Sequence, residues 1–570
     1  MKNGHRCLLI TILMMSTFLL GGCSSFNSKD NGTPANPPEV VNGAKEQAYE
    51  VNPALARTET LVVTSSNLSL NFHPLYAART TETWVRDLVF EGLLSHDKTG
   101  NPIPLLAESY EISEDGLEYT FIIKDDLLFH DGSRLKLSDV IFSYEVLANE
   151  QYSGEHRLFI DGIVGVMEFR TGETTTISGI EIMDDKTIKF RFETPGIYNV
   201  WGFETPIMPE HVYNFSSWDN FLTNSNNPIG TGPMALVAAE SDQQIELKRS
   251  AFHHGTKSNV NRVIIKAMSP QMALESFANG SVDIVAVSPT KEYYDKLKAI
   301  TFAKTIEFPS NAFNYIGINH DHPILKDKKV RQALAYAFDR DEFIRTEWQN
   351  HAIPSNSPVP ETHWTYPNEQ ALNIYSYDVE KAKILLNDAG WIEGDVKGVR
   401  MKDGERLELT INAFSDVSWS YNLANSTKTQ WEKIGAIVNV EFTDFNMLKE
   451  KVFTDRSAML WVMAWHLPID YDPARLYGAI ATGPGGFNAG NYNNTNAEEL
   501  FVKLRTAFDD TERMNLVSDW ISLANEELPY IYIAHLNELW GVNERVQKIE
   551  IGPYSNWVDS IQDIVLKVME

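Results

Sequence analysis

Along this chain the spacing of hydrophobic positions switches repeatedly between every second residue and every third or fourth, which predicts strands interleaved with helices. The clearest stretch is residues 107–145, AESYEISEDGLEYTFIIKDDLLFHDGSRLKLSDVIFSYE. Tyr119, Phe121 and Ile123 alternate there with polar neighbours as a half-buried strand does, and Asp131-Gly132 supplies a pair suited to a tight turn. Ser138 then offers a hydroxyl to the free amides of a helix carrying Val140, Ile141 and Tyr144.

The alternation continues in both directions. Residues 61–64 form a β-branched run that would open the first sheet, and residues 188–192 alternate again. Val330, Ala333, Leu334, Ala337 and Phe338 fall on one helical face with Asp327 placed to cap it. Asp378 caps a second helix bearing Val379, Ala382, Leu385, Leu386 and Ala389, stopped by Gly390. A third helix ends at Gly435 and passes into a strand with Val438, Val440 and Phe442, while Asn496 and Glu499 have the spacing of a capping box. Gly280 separates a helix from a strand at 282–285. There is no internal repeat, and the interleaving from Glu59 onward specifies α/β lobes.

The N-terminus breaks this pattern. Lys2 and Arg6 precede an uncharged apolar run at 8–20 that ends in Leu20-Gly21-Gly22-Cys23. The run is too short to span a bilayer comfortably, and its positive flank and small residues read as a secretory signal. From Ser24 to about Arg57 the composition turns to Ser, Asn, Gly, Pro and charge, with no hydrophobic period. Such a segment cannot repay its ordering entropy and is expected to be a tether, reaching on the order of 30 Å as a flexible coil.

Cysteine usage and charge narrow the functional classes. The chain has 2 cysteines, Cys7 within the signal and Cys23 at its end, so the body depends on its core rather than on disulfides. With 570 residues, 43% of them hydrophobic, it is long enough to bury more than one core. The formal charge of −28 argues against nucleic acid and anionic lipid surfaces as partners, because both require a basic face.

Catalytic patterns are missing. No GxSxG elbow, HExxH helix or Walker loop occurs, and Asp470 and Asp472, two apart on an extended segment, would point to opposite faces rather than flank one bond. His253-His254 and His130-Asp131 could ligate a metal, but no third ligand stands at a recognisable spacing, so no metal or cofactor is expected.

The block at 107–145, together with NPIGTGPMAL at 227–236, LESFANGSVDIV at 274–285, KVRQALAYAFDRDEFI at 329–344 and YDVEKAKILLNDAGW at 377–391, resembles bacterial extracellular solute-binding proteins of family 5, the oligopeptide, dipeptide and nickel binders of ABC importers. The likeness runs from about residue 59 to the end. LGGC likewise resembles a bacterial lipoprotein signal, in which Cys23 is lipidated and becomes the first residue. A diacyl modification supplies the second chain that stable membrane retention needs.

The resemblance implies a two-lobed periplasmic-binding-protein-like α/β fold, type II, of the large peptide-binding group with an extra subdomain in the first lobe. The expected organisation is a signal peptide at 1–22, the lipidated cysteine and tether at 23–58, a first lobe at 59–310 with the extra subdomain at about 78–226, a second lobe at 311–535, and a return to the first lobe at 536–570. Gly230, Gly232 and Pro233 would turn the chain between lobes. Hinge closure would bury the ligand and present the closed form to a membrane permease.

For the site, the resemblance points to AWHLPIDYDPARLY at 464–477. Family members carry a Trp followed by a short segment ending in Asp and Asp-Pro, where a carboxylate holds the α-ammonium of a bound peptide. Trp465, Asp470, Asp472 and Pro473 match that pattern, with His466 beside them and Asp470 as the ammonium partner. The bland readings are a cap, turn or surface pair for Asp470 and a core role for Trp465. Phe72 and His73 follow the first strand where relatives approach their ligand, with a surface histidine as the preferred reading for His73. Tyr315 and Asn319 at the crossing into the second lobe, and Asn491 and Tyr492 in a late loop, are the other ligand-binding candidates, set against hinge packing and turn chemistry. The expected partners are an oligopeptide, an ABC permease and ATPase complex, and the membrane through the lipid anchor, with the protein a monomer on the extracytoplasmic face. Nickel-chelate or oligosaccharide binding on the same scaffold, or peptide sensing without transport, are the alternatives.

Overall fold

The computed structural model describes residues 52–569, apart from 67, 78, 155, 224–226, 242, 368–371, 395–397, 470, 484 and 485. The signal segment, Cys23 and most of the tether therefore lie outside the described residues. The body begins earlier than composition predicts. Asn52 caps a short turn, Pro53–Ala56, that buries Ala54, and Arg57 reaches the Asp283 carboxylate at 2.6 Å. The apolar PALA sequence is the local reason: it has something to bury, unlike the polar residues before it.

Twelve strands join in one long mixed sheet whose two halves serve different cores. In the first half, Met234–Glu240, Gln244–Arg249, Arg262–Ala267, Thr60–Ser65 and Ile284–Val287 lie side by side, with Thr60–Ser65 parallel to Arg262–Ala267. In the second half, Ile437–Thr443, Glu408–Phe414, Leu460–His466 and Ala312–Ile318 follow one another. A single 14-residue strand, Tyr530–Asn543, belongs to both. Its first part pairs with Ala312–Ile318, and its second part with Ala303–Pro309 and Ile284–Val287. The hydrophobic clusters divide at the same points, one set drawing on residues up to Phe308 and from Leu539 onward, the other on Phe313 to Leu536. The molecule is thus two-lobed and α/β, and the chain crosses between lobes at Pro309 to Ala312 and within Tyr530–Asn543.

A smaller four-stranded antiparallel sheet, Ala107–Ile112, Glu118–Ile123, Thr187–Arg191 and Ile180–Ile182, hangs on the first lobe and shares its core. The period-two residues Tyr119 and Phe121 face inward as the pattern requires, and Phe203 sits among six rings, the nearest being Phe121 at 4.5 Å. Asp131-Gly132 makes the expected turn, with Gly132 at φ +83° and its N–H donating to the Phe129 carbonyl.

Several local expectations are corrected by geometry. The helix Leu137–Ala148 begins before Ser138, and it is the Asp139 carboxylate that accepts the Lys136 N–H at 2.8 Å. The helix Thr495–Thr506 is capped by Asn494, whose side chain accepts from the amides of Asn496 and Ala497. Gly230 and Gly232 do not turn the chain between lobes; a Cβ on either would lie 2.1 to 2.5 Å from the carbonyl oxygens of Val89 and Leu88, so they permit close backbone packing inside the first lobe. Asp327 and Asp378 cap the helices Lys328–Tyr336 and Val379–Asp388 as expected.

The far end of the shared strand is fixed by a buried ion cluster. Asp283 and Arg545 are both 0% exposed at the side chain, with Arg545 Nε and Nη2 donating to the two carboxylate oxygens at 2.6 and 3.1 Å. Arg57 and the Val62 N–H also donate to Asp283, and Arg545 reaches the carbonyls of Arg57 and Thr60. Asp283→Ala strands Arg545 in the interior and is expected to cost about 3–5 kcal/mol, read in denaturant unfolding of the mature protein. A loss below 1 kcal/mol would show that the cluster is not a structural anchor.

Candidate functional site between the lobes

The strand Leu460–His466 runs antiparallel to Ala312–Ile318, bringing His466 opposite Ala312 at the crossing. The chain then passes along the seam between the lobes. The Leu467 N–H donates to the Asn311 carbonyl at 3.1 Å, and Asn311 itself is anchored by its side-chain amide to the Pro553 carbonyl. Ile469 packs on the first-lobe core, so close to Gly100 that a Cβ there would meet it at 2.8 Å. Tyr471 turns the other way, buried in the second lobe where its hydroxyl accepts the Trp520 indole N–H at 3.4 Å. Ile469 and Tyr471 therefore commit to opposite lobes, and Asp470, which separates them in sequence, is outside the described residues.

His363 completes this seam. Its ring stands edge-on to Tyr471 and to Tyr554, at centroid distances of 6.3 and 5.7 Å. Burial lowers its pKa to about 4, partly opposed by the Ile469 backbone. A second contact between lobes lies farther out, where Phe508, between two second-lobe helices, fills the space beside Gly116 in the first. Neither His363 nor Phe508 stood out in the sequence, although a histidine beside a tryptophan in the proline-bearing PVPETHW was the available signal.

The other candidates separate into distinct environments. Trp465 is 7% exposed, parallel to Tyr315 at 6.3 Å and edge-on to Phe453 and Phe487, so most of its surface is core. His466 is exposed, yet the protein around it lowers its pKa, as expected of an imidazole in a crevice. Asp472 is occupied: both oxygens are used, one by the Ala474 N–H and the other by two Arg505 nitrogens at 2.8 and 2.9 Å. His73 is not a surface histidine. It is 1% exposed, its Nδ1 accepts from the Leu75 N–H, and burial lowers its pKa to about 4. Phe72 is buried in the first-lobe core.

Tyr315 lies mid-strand and is buried, while Asn319 stands roughly 23 Å along the strand from the Ala312 crossing at about 3.3 Å per residue. There Asn319 closes a turn onto the Asp321 N–H, and Asn491 bridges Arg456 and Asp321. Tyr492 is buried edge-on to His320. The structure thus gathers Asn319, Asn491 and Tyr492 at the end of the second lobe remote from the seam, and His466, Leu467, Ile469 and Tyr471 at the seam.

Two lobes joined by paired strands, with side chains at their junction committed to each, set the geometry of this site. The description "Bacterial extracellular solute-binding proteins, family 5 Middle" matches residues 101–487, and the chain belongs to this family, one of binding proteins rather than enzymes. It is 23% identical to the oligopeptide-binding protein AppA of Bacillus subtilis over 96% of each chain. It is 25% identical to the dipeptide-binding protein of Escherichia coli over 88% of this chain and 94% of that one. Among solved structures, AppA of B. subtilis in complex with a nonapeptide matches at a TM-score of 0.70 and 23% identity, covering 90% of this chain and 99% of that one. NikZ of Campylobacter jejuni in complex with Ni(L-His) matches at 0.70 and 25%, covering 89% and 100%. Among the described residues no helix is long and apolar enough to cross a membrane.

Acid will test how the buried histidines are packed. His73, His363 and His535 each have a pKa near 4, chiefly through burial, against 6.5 in an unfolded chain. The unfolded state therefore takes up protons that the folded state refuses. The contribution of these histidines to stability should be complete above pH 6.5 and fall between 6.5 and 4, each histidine accounting for on the order of 1.4 kcal/mol per pH unit within that window. Urea midpoints measured across it check this, and a flat profile would mean that these imidazoles accept protons in the fold.

Proposed function

We propose that this protein is the lipid-anchored substrate-binding component of an ABC importer, capturing oligopeptides between its lobes and presenting the closed form to a membrane permease. The observation that carries this reading is the segment 467–472, held by Ile469 to one lobe and by Tyr471 to the other. A ligand engaged there is sensed by both lobes at once, and so favours closure by its differential contacts with the closed state. The curated relatives named for oligopeptide and dipeptide binding supply the ligand class. Cys23, followed by a tether that ends where Asn52 docks on Asn543, would hold the first lobe near the membrane as a monomer on the extracytoplasmic face.

Within the seam Asp470 is assigned to the peptide α-ammonium. Asp472 is set aside, because its carboxylate already serves Arg505 and the Ala474 amide. A charge-assisted pair formed away from bulk water selects strongly for a free amino terminus, since a blocked one leaves the carboxylate unpaired. The second reading, capture of a metal chelate, rests on the exposed His466 at the seam and on the likeness to NikZ.

Two variants separate these roles. Asp470→Asn should weaken free-amine peptides by on the order of 10-fold or more while leaving N-acetylated ones and the melting temperature nearly unchanged. Asp472→Asn should lower the melting temperature and spare the preference for a free amine. Equal losses for both peptide forms in Asp470→Asn would remove Asp470 from the ammonium role. Native mass spectrometry of the mature protein tests the ligand class itself: co-purified masses that sequence as short peptides support it, whereas an apo mass shifted only by a nickel chelate overturns it.

A further inference from the structure

His253 and His254 are sequence neighbours, and on a regular strand their side chains would diverge. Here they converge. In the loop after Gln244–Arg249 the two rings lie 4.7 Å apart, and both direct Nε2 at one carboxylate, that of Glu91. His253 meets Glu91 Oε1 and His254 meets Oε2, each at 3.0 Å. Glu91 is 4% exposed at the side chain, and the imidazoles are 5% and 11% exposed. All three donor atoms lie within 4.8 Å of one another.

We propose that Glu91, His253 and His254 form a binding site for a divalent transition-metal cation, zinc being the best match, in the first lobe and separate from the interlobe seam. Two imidazole nitrogens and a carboxylate oxygen are the donors that borderline cations such as zinc favour. In a tetrahedral site with bonds of about 2.1 Å, neighbouring donor atoms stand about 3.4 Å apart, so the existing separations need only small side-chain shifts. Water fills the fourth position. His130 bonds the Gly232 carbonyl through Nε2, and its buried Nδ1 has no hydrogen-bond partner among the described residues, making it a candidate outer contact for that water.

The carboxylate is ready for an ion. The buried Glu91 side chain already turns one oxygen to each imidazole Nε2, so its two oxygens face the point where an ion would sit. The way in is also present: His254, Gly255 and Thr256 line an open cavity of about 630 Å³ whose other walls include Glu108 and Asp125, all from the first lobe. Three contacts must give way: the two imidazole–carboxylate hydrogen bonds, whose protons the ion displaces, and one to the backbone. The Gly255 N–H donates to His253 Nδ1 at 3.2 Å, which places the His253 proton on Nε2. Coordination through Nε2 moves that proton to Nδ1 and breaks the contact with Gly255, which lines the cavity.

The test uses the untagged mature protein, stripped with chelator and titrated with Zn²⁺ by calorimetry and with Co²⁺ by visible absorption. The expected result is one saturable site, a Co²⁺ spectrum of tetrahedral type and a rise in melting temperature with zinc. His254→Gln should weaken it by more than the roughly 10- to 100-fold that an outer-sphere change costs. The His253→Gln, His254→Gln double variant should abolish it while keeping peptide capture, which confirms that the protein has folded. Binding that survives in the double variant, that is absent from the native chain, or that peptide displaces would overturn the site; the last result would place the cation between the lobes.

Discussion

Everything in this molecule is organised around one strand that two cores must share. Tyr530–Asn543 gives its first half to the second lobe and its second half to the first, and it changes ladder partner at the crossing, from Ala312–Ile318 up to Ala534 to Ala303–Pro309 from Asn537. The only other described crossing, at Pro309 to Ala312, runs beside it, with the Ser310 N–H donating to the Leu536 carbonyl. Two adjacent strands resist stretching but allow rotation about their common line. That permits the lobes to approach or separate while each core stays packed. The buried Asp283–Arg545 pair fixes the strand at its first-lobe end, so that motion of the second lobe is not dissipated there.

The same constraint explains why the segment after Leu460–His466 matters. A chain leaving the sheet beside the crossing must travel along the seam, and here it does so with side chains committed alternately to each lobe. The aromatic residues behind it, Trp465, Tyr315 and Tyr530, are packed face to face and form a stiff second-lobe wall.

The first lobe contributes a separate polar feature. Glu91, His253 and His254 come together because a loop folds back on the turn after the helix Thr80–Val89, a position from which the interlobe seam takes no side chain. Its cavity faces solvent on the first lobe alone, which allows an ion there to stabilise one lobe without competing for the ligand space.

The sequence by itself determined the local elements and the class of fold. Period-two and helical spacing, with the turn at Asp131-Gly132 and the caps at Asp327 and Asp378, specify strands and helices through short-range contacts, and the ordered blocks of family resemblance specify two lobes. Caps misplaced by a residue or two, at Ser138 and Asn496, show the limit of that reading, since neighbouring polar residues compete for the same free amides. Only the tertiary structure decided which candidates share a site. Asn319 and Asn491 are carried to the far end of a strand, His73 is sealed in the core, and Asp472 is claimed by Arg505 from a helix 33 positions later. Glu91 reaches its histidines across more than 160 residues. Such meetings depend on how the sheet is threaded and where the cores close, and no local spacing records either.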